Sequence, residues 1–494
     1  MLKTHNTMII IAVLLIVSFL SSSVNGRPLS DDVKDLDPMA PGGIADDHGS
    51  LVKRKARNTI LKGPHYDLIL IPAQVRIVDP MLPGANPDEE PSTDELQGDM
   101  KLTPLQRENL LGKPAPDDHQ GPRRVKRKAT ADLAKRWLQN TVPYVIEESA
   151  SNSSSVILQA MEHWEEQTCV KFVPYTQTVA EELQDDQYLS FFLGSSCWSY
   201  IGKVTTVPQK LSIGPKCSTF GTITHEIGHA IGFFHEQTRP DRDEYVVVHE
   251  ENILSEELGN YIKRTYDDVI TDVPYDVKSI MHYRAYSYAN DTSKPTITTV
   301  NPLDIKYIGQ RTAISFRDVK TANMIYNCSS GCPSLDCSNE GYVGPNCTCV
   351  CTEEFTGAQC LDTNPDYEPP CEYVLTTASG SIESPNFGNG DYPLTTFCMY
   401  HIKPDVILPN MRITLTFDAF SLEVSDSCEW DYVRVFNDQL TYGGQTFCGS
   451  TVPSPITSVG SEMVVWFRSD SYNNMPGFRA NYSIELESSS TNGP

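Results

Sequence analysis

Three scarcities bound what this chain of 494 residues can be. No cysteine precedes Cys169, although fourteen occur from there on. No long apolar run follows Leu20. Basic charge is outweighed, with 39 Lys and Arg against 64 Asp and Glu and a net charge of −25. That acidity is spread along the chain, which argues against nucleic acid as a partner. No repeat or low-complexity tract points to a structural array. The one apolar run, Met8 to Leu20, is short for a membrane span. Lys3 precedes it, and Val24 and Gly26 suit the −3 and −1 sites of signal cleavage. A signal anchor is the alternative; the reading preferred is a signal peptide over 1–26, secretion, and no stable membrane insertion. An even number of cysteines fits full pairing in the oxidising compartment that secretion implies.

Residues 27–127 are rich in Pro, Asp and Lys and poor in aromatics, a composition that predicts partial order. Some strand or helix is expected over Ile69 to Val78. The segment ends in the basic run Arg123 to Lys128. A solvated patch would look the same, but Arg124-x-Lys126-Arg127 fits a furin-like processing protease cutting between Arg127 and Lys128. The expectation is a propeptide over 27–127 and a mature chain from Lys128.

What is present beyond that point centres on His225 to Gln237, which reads H-E-x-x-H-x-x-G-x-x-H and runs on into Glu236 and Gln237. On a helix His225 and His229 lie one turn apart on one face. Ile223, Ile227, Ala230 and Ile231 supply an apolar remainder that suits a buried helix. Gly232, without a Cβ, is where the chain turns, bringing His235 round as a third imidazole. Three neutral nitrogens leave a position open on Zn²⁺, as a hydrolytic site requires. Glu226, beside the first ligand, is placed to accept a proton from metal-bound water. Downstream, Met281 within Ser279-Ile280-Met281-His282-Tyr283 is the candidate methionine turn, a soft side chain able to pack beneath the ligands.

With Arg239-Pro240-Asp241-Arg242-Asp243 and Tyr283, these motifs resemble the astacin family of metzincin metalloendopeptidases over roughly Lys128 to Cys328. The resemblance implies a two-lobed α+β zincin domain over 128–328 that hydrolyses peptide bonds, with Zn²⁺ on His225, His229 and His235. Glu226 would be the general base and Tyr283 a resting fifth ligand that turns to the oxyanion. It implies that Leu96-Gln97-Gly98-Asp99 is the latency motif, Asp99 ligating zinc in the zymogen. Leu96 stands where the family has Phe. Cys197 to Tyr200 would form the edge strand that pairs with substrate, its rim altered at Lys203 to Pro208. Glu236 would meet the new N-terminus, with Arg239 or Arg242 as competing partners and a solvated place at the helix end as the other alternative. Cys169–Cys328 and Cys197–Cys217 would be paired.

Two further segments resemble modules that accompany this family. Residues 329–361 resemble an EGF-like domain, implying Cys332–Cys347, Cys337–Cys349 and Cys351–Cys360, one of fifteen pairings. After a linker over 361–370, residues 371–485 resemble an all-β CUB sandwich, implying Cys371–Cys398 and Cys428–Cys448. A flexible tail is expected over 486–494. Glu423, Asp431 and Asp470 fall where calcium-binding CUB domains place carboxylates, and Ca²⁺ favours such hard oxygens; solvated loop acids are the alternative. Sequons at Asn152, Asn290 and Asn481 are glycosylation candidates. Extracellular protein substrates are the partners this organisation suggests.

Overall fold

The computed structural model describes residues 61–62, 67–68, 96–103, 127–130, 132–266, 269–270 and 272–486. The signal peptide, the expected elements at 69–78 and the tail beyond 486 lie outside them. Two compact units divide the chain at Ala73 and Gln74. Among the described residues the first contributes the antiparallel pair Leu61–Lys62 and Asp67–Leu68. The second, described below, carries everything else.

Its first elements are a hairpin, β1 (Leu96–Gln97) and β2 (Met100–Lys101), and the strand β3 (Arg127–Thr130). The upper lobe follows. β4 (Thr141–Ile146), β5 (Lys171–Pro174), β6 (Leu189–Phe192) and β8 (Gln209–Ser212) form a parallel sheet in the order β8-β6-β4-β5. The short strand β7 (Ser199–Tyr200) precedes β8. Helix α1 (Ser154–Gln167) buries Ile157, Ala160, Met161 and Trp164, the i, i+3, i+4, i+7 face of an amphipathic helix. That face packs on α2 (Phe220–Ala230), and Trp164 Nε1 donates to the Thr224 carbonyl at 3.1 Å.

The lower lobe is poor in regular structure. It holds the antiparallel ribbon Val246–Val248 with Ile297–Thr299, the short strand β9 (Val269–Ile270) paired with β3, and helix α3 (Phe316–Ile325). Ser315 and Asp318 close a capping box on α3, each side chain accepting the other's backbone N–H. Cys169–Cys328 ties the segment before β5 to the end of α3, and Cys197–Cys217 lies in the upper lobe between β6 and α2.

Three disulfides, Cys332–Cys347, Cys337–Cys349 and Cys351–Cys360, staple the next segment around two small hairpins. The second hairpin runs to Thr363, past the boundary expected at 361, because Thr356 still pairs with Asp362. The expected linker is therefore partly strand. It also leads directly into a docked residue: Lys306 Nζ lies 2.6 Å from Glu372 Oε1, which also accepts the Tyr307 hydroxyl at 2.5 Å.

The C-terminal sandwich has a five-stranded sheet of β10 (Glu372–Leu375), β12 (Phe397–Ile402), β14 (Tyr432–Phe436), β15 (Gln445–Phe447) and β17 (Met463–Arg468). Facing it is a four-stranded antiparallel sheet of β11 (Ser379–Glu383), β13 (Met411–Ser421), β16 (Ile456–Thr457) and β18 (Gly477–Leu486). Side chains alternate along a strand, and on β17 both sets are buried. Met463, Val465 and Phe467 enter the sandwich core. Val464 and Trp466 face the other way, with Met399 and Phe436, into a cluster containing Val246, Ile297, Leu303 and Ile305 of the lower lobe. Tyr283 belongs to that same cluster. The sandwich is thus packed onto the lobe that carries the methionine turn. Cys371–Cys398 and Cys428–Cys448 complete seven disulfides that use all fourteen cysteines.

Candidate metal centre and its surroundings

Helix α2 is capped by Thr219, whose side chain accepts the Thr222 N–H. From Gly221 to Ala230 every residue is buried. His225 and His229 project together, their rings 4.7 Å apart at 83°. Gly232 at φ +113° ends the helix, a conformation that a residue with Cβ rarely adopts. The chain then doubles back and sets His235 4.7 Å from His229 and 5.4 Å from His225, centroid to centroid.

Hydrogen bonds fix the outward nitrogens. His225 Nδ1 donates to the Ile280 carbonyl at 2.7 Å, and His229 Nδ1 to the Phe233 carbonyl at 2.8 Å. A carbonyl only accepts, so both Nδ1 atoms carry the proton and both Nε2 atoms present lone pairs. Those lone pairs converge on the Asp99 carboxylate. His225 Nε2 is 3.0 Å from Oδ2, and His235 and His229 Nε2 are 2.7 and 3.6 Å from Oδ1. His229 and His235 Nε2 are themselves 3.2 Å apart. Acceptors facing acceptors repel unless a cation sits among them, so the donor set itself fits a metal. Three imidazole nitrogens and one carboxylate within 4.8 Å of one another suit the tetrahedral preference of Zn²⁺. Burial pushes His225 down to about 4 and His235 down to about 3, leaving both neutral as metal ligands must be.

Glu226, next to the first histidine, is fully buried. Met281 lies beneath α2, where a Cβ on Gly228 would come within 2.6 Å of its sulfur. The turn is tied to α3, since Ser279 Oγ and the Ile280 N–H donate to the two Asp318 oxygens at 2.7 and 2.9 Å. The Tyr283 ring is 4.4 Å from that of His235, and its N–H donates to Gln237 Oε1 at 3.1 Å. The sequence does not mark Asp318 or Gln237 as site residues. Ser315-x-x-Asp318 is a visible capping-box pattern, but its reach to Ser279 is not local.

Asp99 arrives on the β1–β2 hairpin, whose turn needs Gly98 at φ +62°. β2 adds in parallel to β7, with Met100 opposite Ser199, and the Ser199 N–H donates to the Asp99 carbonyl at 3.0 Å. The hairpin thereby covers the expected substrate edge. Glu236 is wholly buried, accepting from Arg239 Nη1 at 3.2 Å and from the Asp276 N–H at 2.8 Å. The backbone of Arg127 and Lys128 lies in β3, against β9, and the Thr130 N–H donates to the Gly232 carbonyl.

In the sandwich, Glu423, Asp431 and Asp470 also come together within 4.8 Å. Tyr392 donates to Asp431 Oδ2 at 2.5 Å and Asn473 to Glu423 Oε1 at 2.5 Å. Glu423 Oε2 is buried without a hydrogen-bond partner. Burial pushes the Asp431 carboxyl above its usual range. The sequon residues Asn152, Asn290 and Asn481 are all exposed. Asn290 Nδ2 donates to the Glu251 and Ile253 carbonyls, and Asn481 Nδ2 to Asp418. No helix among the described residues is long and apolar enough to cross a membrane.

The chain is similar to known proteins over most of its length. The profile of Astacin (Peptidase family M12A) matches residues 129–327 and that of the CUB domain residues 371–482. Protein SpAN of Strongylocentrotus purpuratus is 43% identical over 405 residues, 81% of this chain and 64% of that protein. The chain thus spans less than two thirds of this relative's length. Zinc metalloproteinase nas-34 of Caenorhabditis elegans is 34% identical over 425 residues, 83% of this chain and 67% of that one. Among solved structures, High choriolytic enzyme 1, a hatching enzyme zinc-protease from Oryzias latipes, is 33% identical. It covers 38% of this chain and 89% of its own, with a TM-score of 0.34.

Proposed function

This chain belongs to the astacin family of zinc metallopeptidases, and we propose that it is a secreted endopeptidase made as a zymogen. The observation that carries this reading is the convergence of three imidazole Nε2 atoms on the Asp99 carboxylate. His225, His229 and His235 would hold Zn²⁺, joined in the uncut chain by the Asp99 carboxylate. The β2 strand on β7 denies peptide main chains the edge they would use. Cleavage by a furin-like protease after Arg127 releases the hairpin and frees the site. Glu236, held by Arg239 and the Asp276 N–H in the uncut chain, then gains the new α-ammonium as a further partner.

When bound, Zn²⁺ lowers the pKa of a water and polarises the scissile carbonyl. Glu226, adjacent to His225, takes the water's proton and returns it to the leaving amine. Tyr283, beside His235, donates its hydroxyl to the oxygen that becomes anionic, a contact that strengthens in the transition state. Gln237 holds the Tyr283 backbone while the side chain moves. The substrates are extracellular or matrix proteins, bound as extended peptides along β7. The module at 329–361 is EGF-like. The sandwich takes Ca²⁺ at Glu423, Asp431 and Asp470, a reading supported by the buried unpartnered oxygen of Glu423. Asn152 is the best placed sequon for a glycan.

Hydrolysis of a denatured protein by the purified chain, before and after prosegment removal and with a zinc chelator, tests the reading. Activity is expected after removal alone, and the chelator should abolish it. Full activity in uncut protein would contradict latency. Mutation of Arg124 and Arg127 to Ala should trap the inactive form.

A further inference from the structure

The Ile280 carbonyl, which fixes the tautomer of His225, receives a second donor. Arg311 Nη1 lies 2.8 Å from it, opposite His225 Nδ1 at 2.7 Å. A carbonyl oxygen has two lone pairs, so both donors are accommodated. The same Nη1 reaches the His282 carbonyl at 3.2 Å and the Gln310 carbonyl at 3.1 Å. Carbonyls from both sides of Met281 therefore turn towards one cation. Without it, these oxygens would repel one another, and Ile280 would lose the force that aims its carbonyl at His225.

The backbone of Arg311 is seated as firmly as its side chain. A Cβ on Gly221, in the first turn of α2, would lie 1.8 Å from the Arg311 carbonyl oxygen. Nearby, Gln310 Nε2 donates to the Lys278 and Ala313 carbonyls at 2.7 and 2.8 Å. One residue thus touches the helix that carries His225 and Glu226 and also the turn beneath them.

We infer that Arg311 is a positioning residue of the metal centre, holding the Ile280 carbonyl so that His225 keeps Nδ1 protonated and Nε2 directed at the metal. This rests on the reading of His225 as a zinc ligand. Groups that orient a ligating histidine through its other nitrogen typically change metal affinity 10–100-fold when lost. Arg311 acts one bond further out, through the carbonyl. A lysine cannot reproduce the planar fork, though it can reach one oxygen.

The test uses the full-length chain stripped of metal, as parent, Arg311→Gln, Arg311→Lys and His225→Ala. Zinc affinity is measured by competition with a fluorescent chelator, and the d–d absorption of the Co²⁺-loaded protein is recorded. The expected result is about 10-fold or more weaker zinc binding in Arg311→Gln, a smaller loss in Arg311→Lys, and a displaced Co²⁺ band in both. A merely structural role would shrink the band by lowering the folded fraction and leave its position unchanged. Should Arg311→Gln fail to be secreted, Arg311→Lys decides by the same two readouts. Parental affinity and band position in the Arg311 variants, with zinc binding lost in His225→Ala, overturn the inference alone. Parental affinity in His225→Ala overturns the ligand reading and the inference with it.

Discussion

Gly98 is pressed against Tyr283: a Cβ on the glycine would lie 2.3 Å from the tyrosine hydroxyl and 3.0 Å from that of Tyr288. At φ +62° the position also disfavours any side chain. The residue that delivers Asp99 to the histidines therefore has no room to be anything larger while Tyr283 stays where it is.

Gly98→Ala should loosen the latent form. The left-handed conformation costs an L-residue about 1–2 kcal/mol, and the clash with Tyr283 adds to it. The uncut variant is expected to leak peptide hydrolysis, and its prosegment should be clipped faster by an added protease. Parental latency and parental resistance to clipping would show that the hairpin is held by other contacts.

Tyr283→Phe should lower kcat by roughly 10–10³-fold with a much smaller change in KM, the pattern of a contact made mainly in the transition state. The ring contact with His235 survives in this variant, so zinc content should not change. An unaltered kcat would leave Tyr283 a packing residue.

Trp466→Ala should destabilise the lower lobe together with the sandwich. A fully buried aromatic typically costs about 3–5 kcal/mol when truncated, and Trp466 is 0% exposed, in one cluster with Ile297 and Tyr283. Calorimetry should show a common transition moving down, and loss of hydrolysis on heating should follow it. Two separate transitions, with hydrolysis lost at the parental temperature, would mean the sandwich unfolds by itself.

Asp431→Asn should remove calcium stabilisation of the sandwich. In the parent, added Ca²⁺ should raise the melting temperature, as any ligand selective for the folded state does, and the variant should not respond. A parent indifferent to millimolar Ca²⁺ would leave Asp431, Glu423 and Asp470 to their hydrogen bonds with Tyr392, Asn473 and the Tyr472 N–H.

Much of this was legible in the residues because the signals are local. One helical turn separates His225 from His229, and Gly232 marks the turn that delivers His235. What the residues do not signal depends on contacts between distant segments. Asp318 reads as a helix cap, yet the same carboxylate also secures Ser279 and Ile280. Glu236 had three candidate partners in sequence, and only packing decides that Arg239 meets it in the uncut chain. The run Met463 to Phe467 is apolar at every position, which signals a strand buried on both faces. Nothing in that run says that the second face meets the lower lobe. The linker expected at 361–370 begins as strand, since Asp362 and Thr363 pair with Thr356 and Phe355, a pairing that no local signal in those residues marks.

The central claim is that Zn²⁺ on three histidines works with Glu226 as the base. Zinc content and peptide hydrolysis measured together on processed parent and processed Glu226→Gln test it most directly. Glutamine fills the same volume but cannot accept the proton, and loss of a general base typically costs about 10²–10⁴-fold. The account predicts one zinc per chain in both proteins, turnover in the parent alone, and parental turnover abolished by chelation and restored by added zinc. Near-parental turnover in Glu226→Gln, or full turnover in parent stripped of zinc, would contradict it.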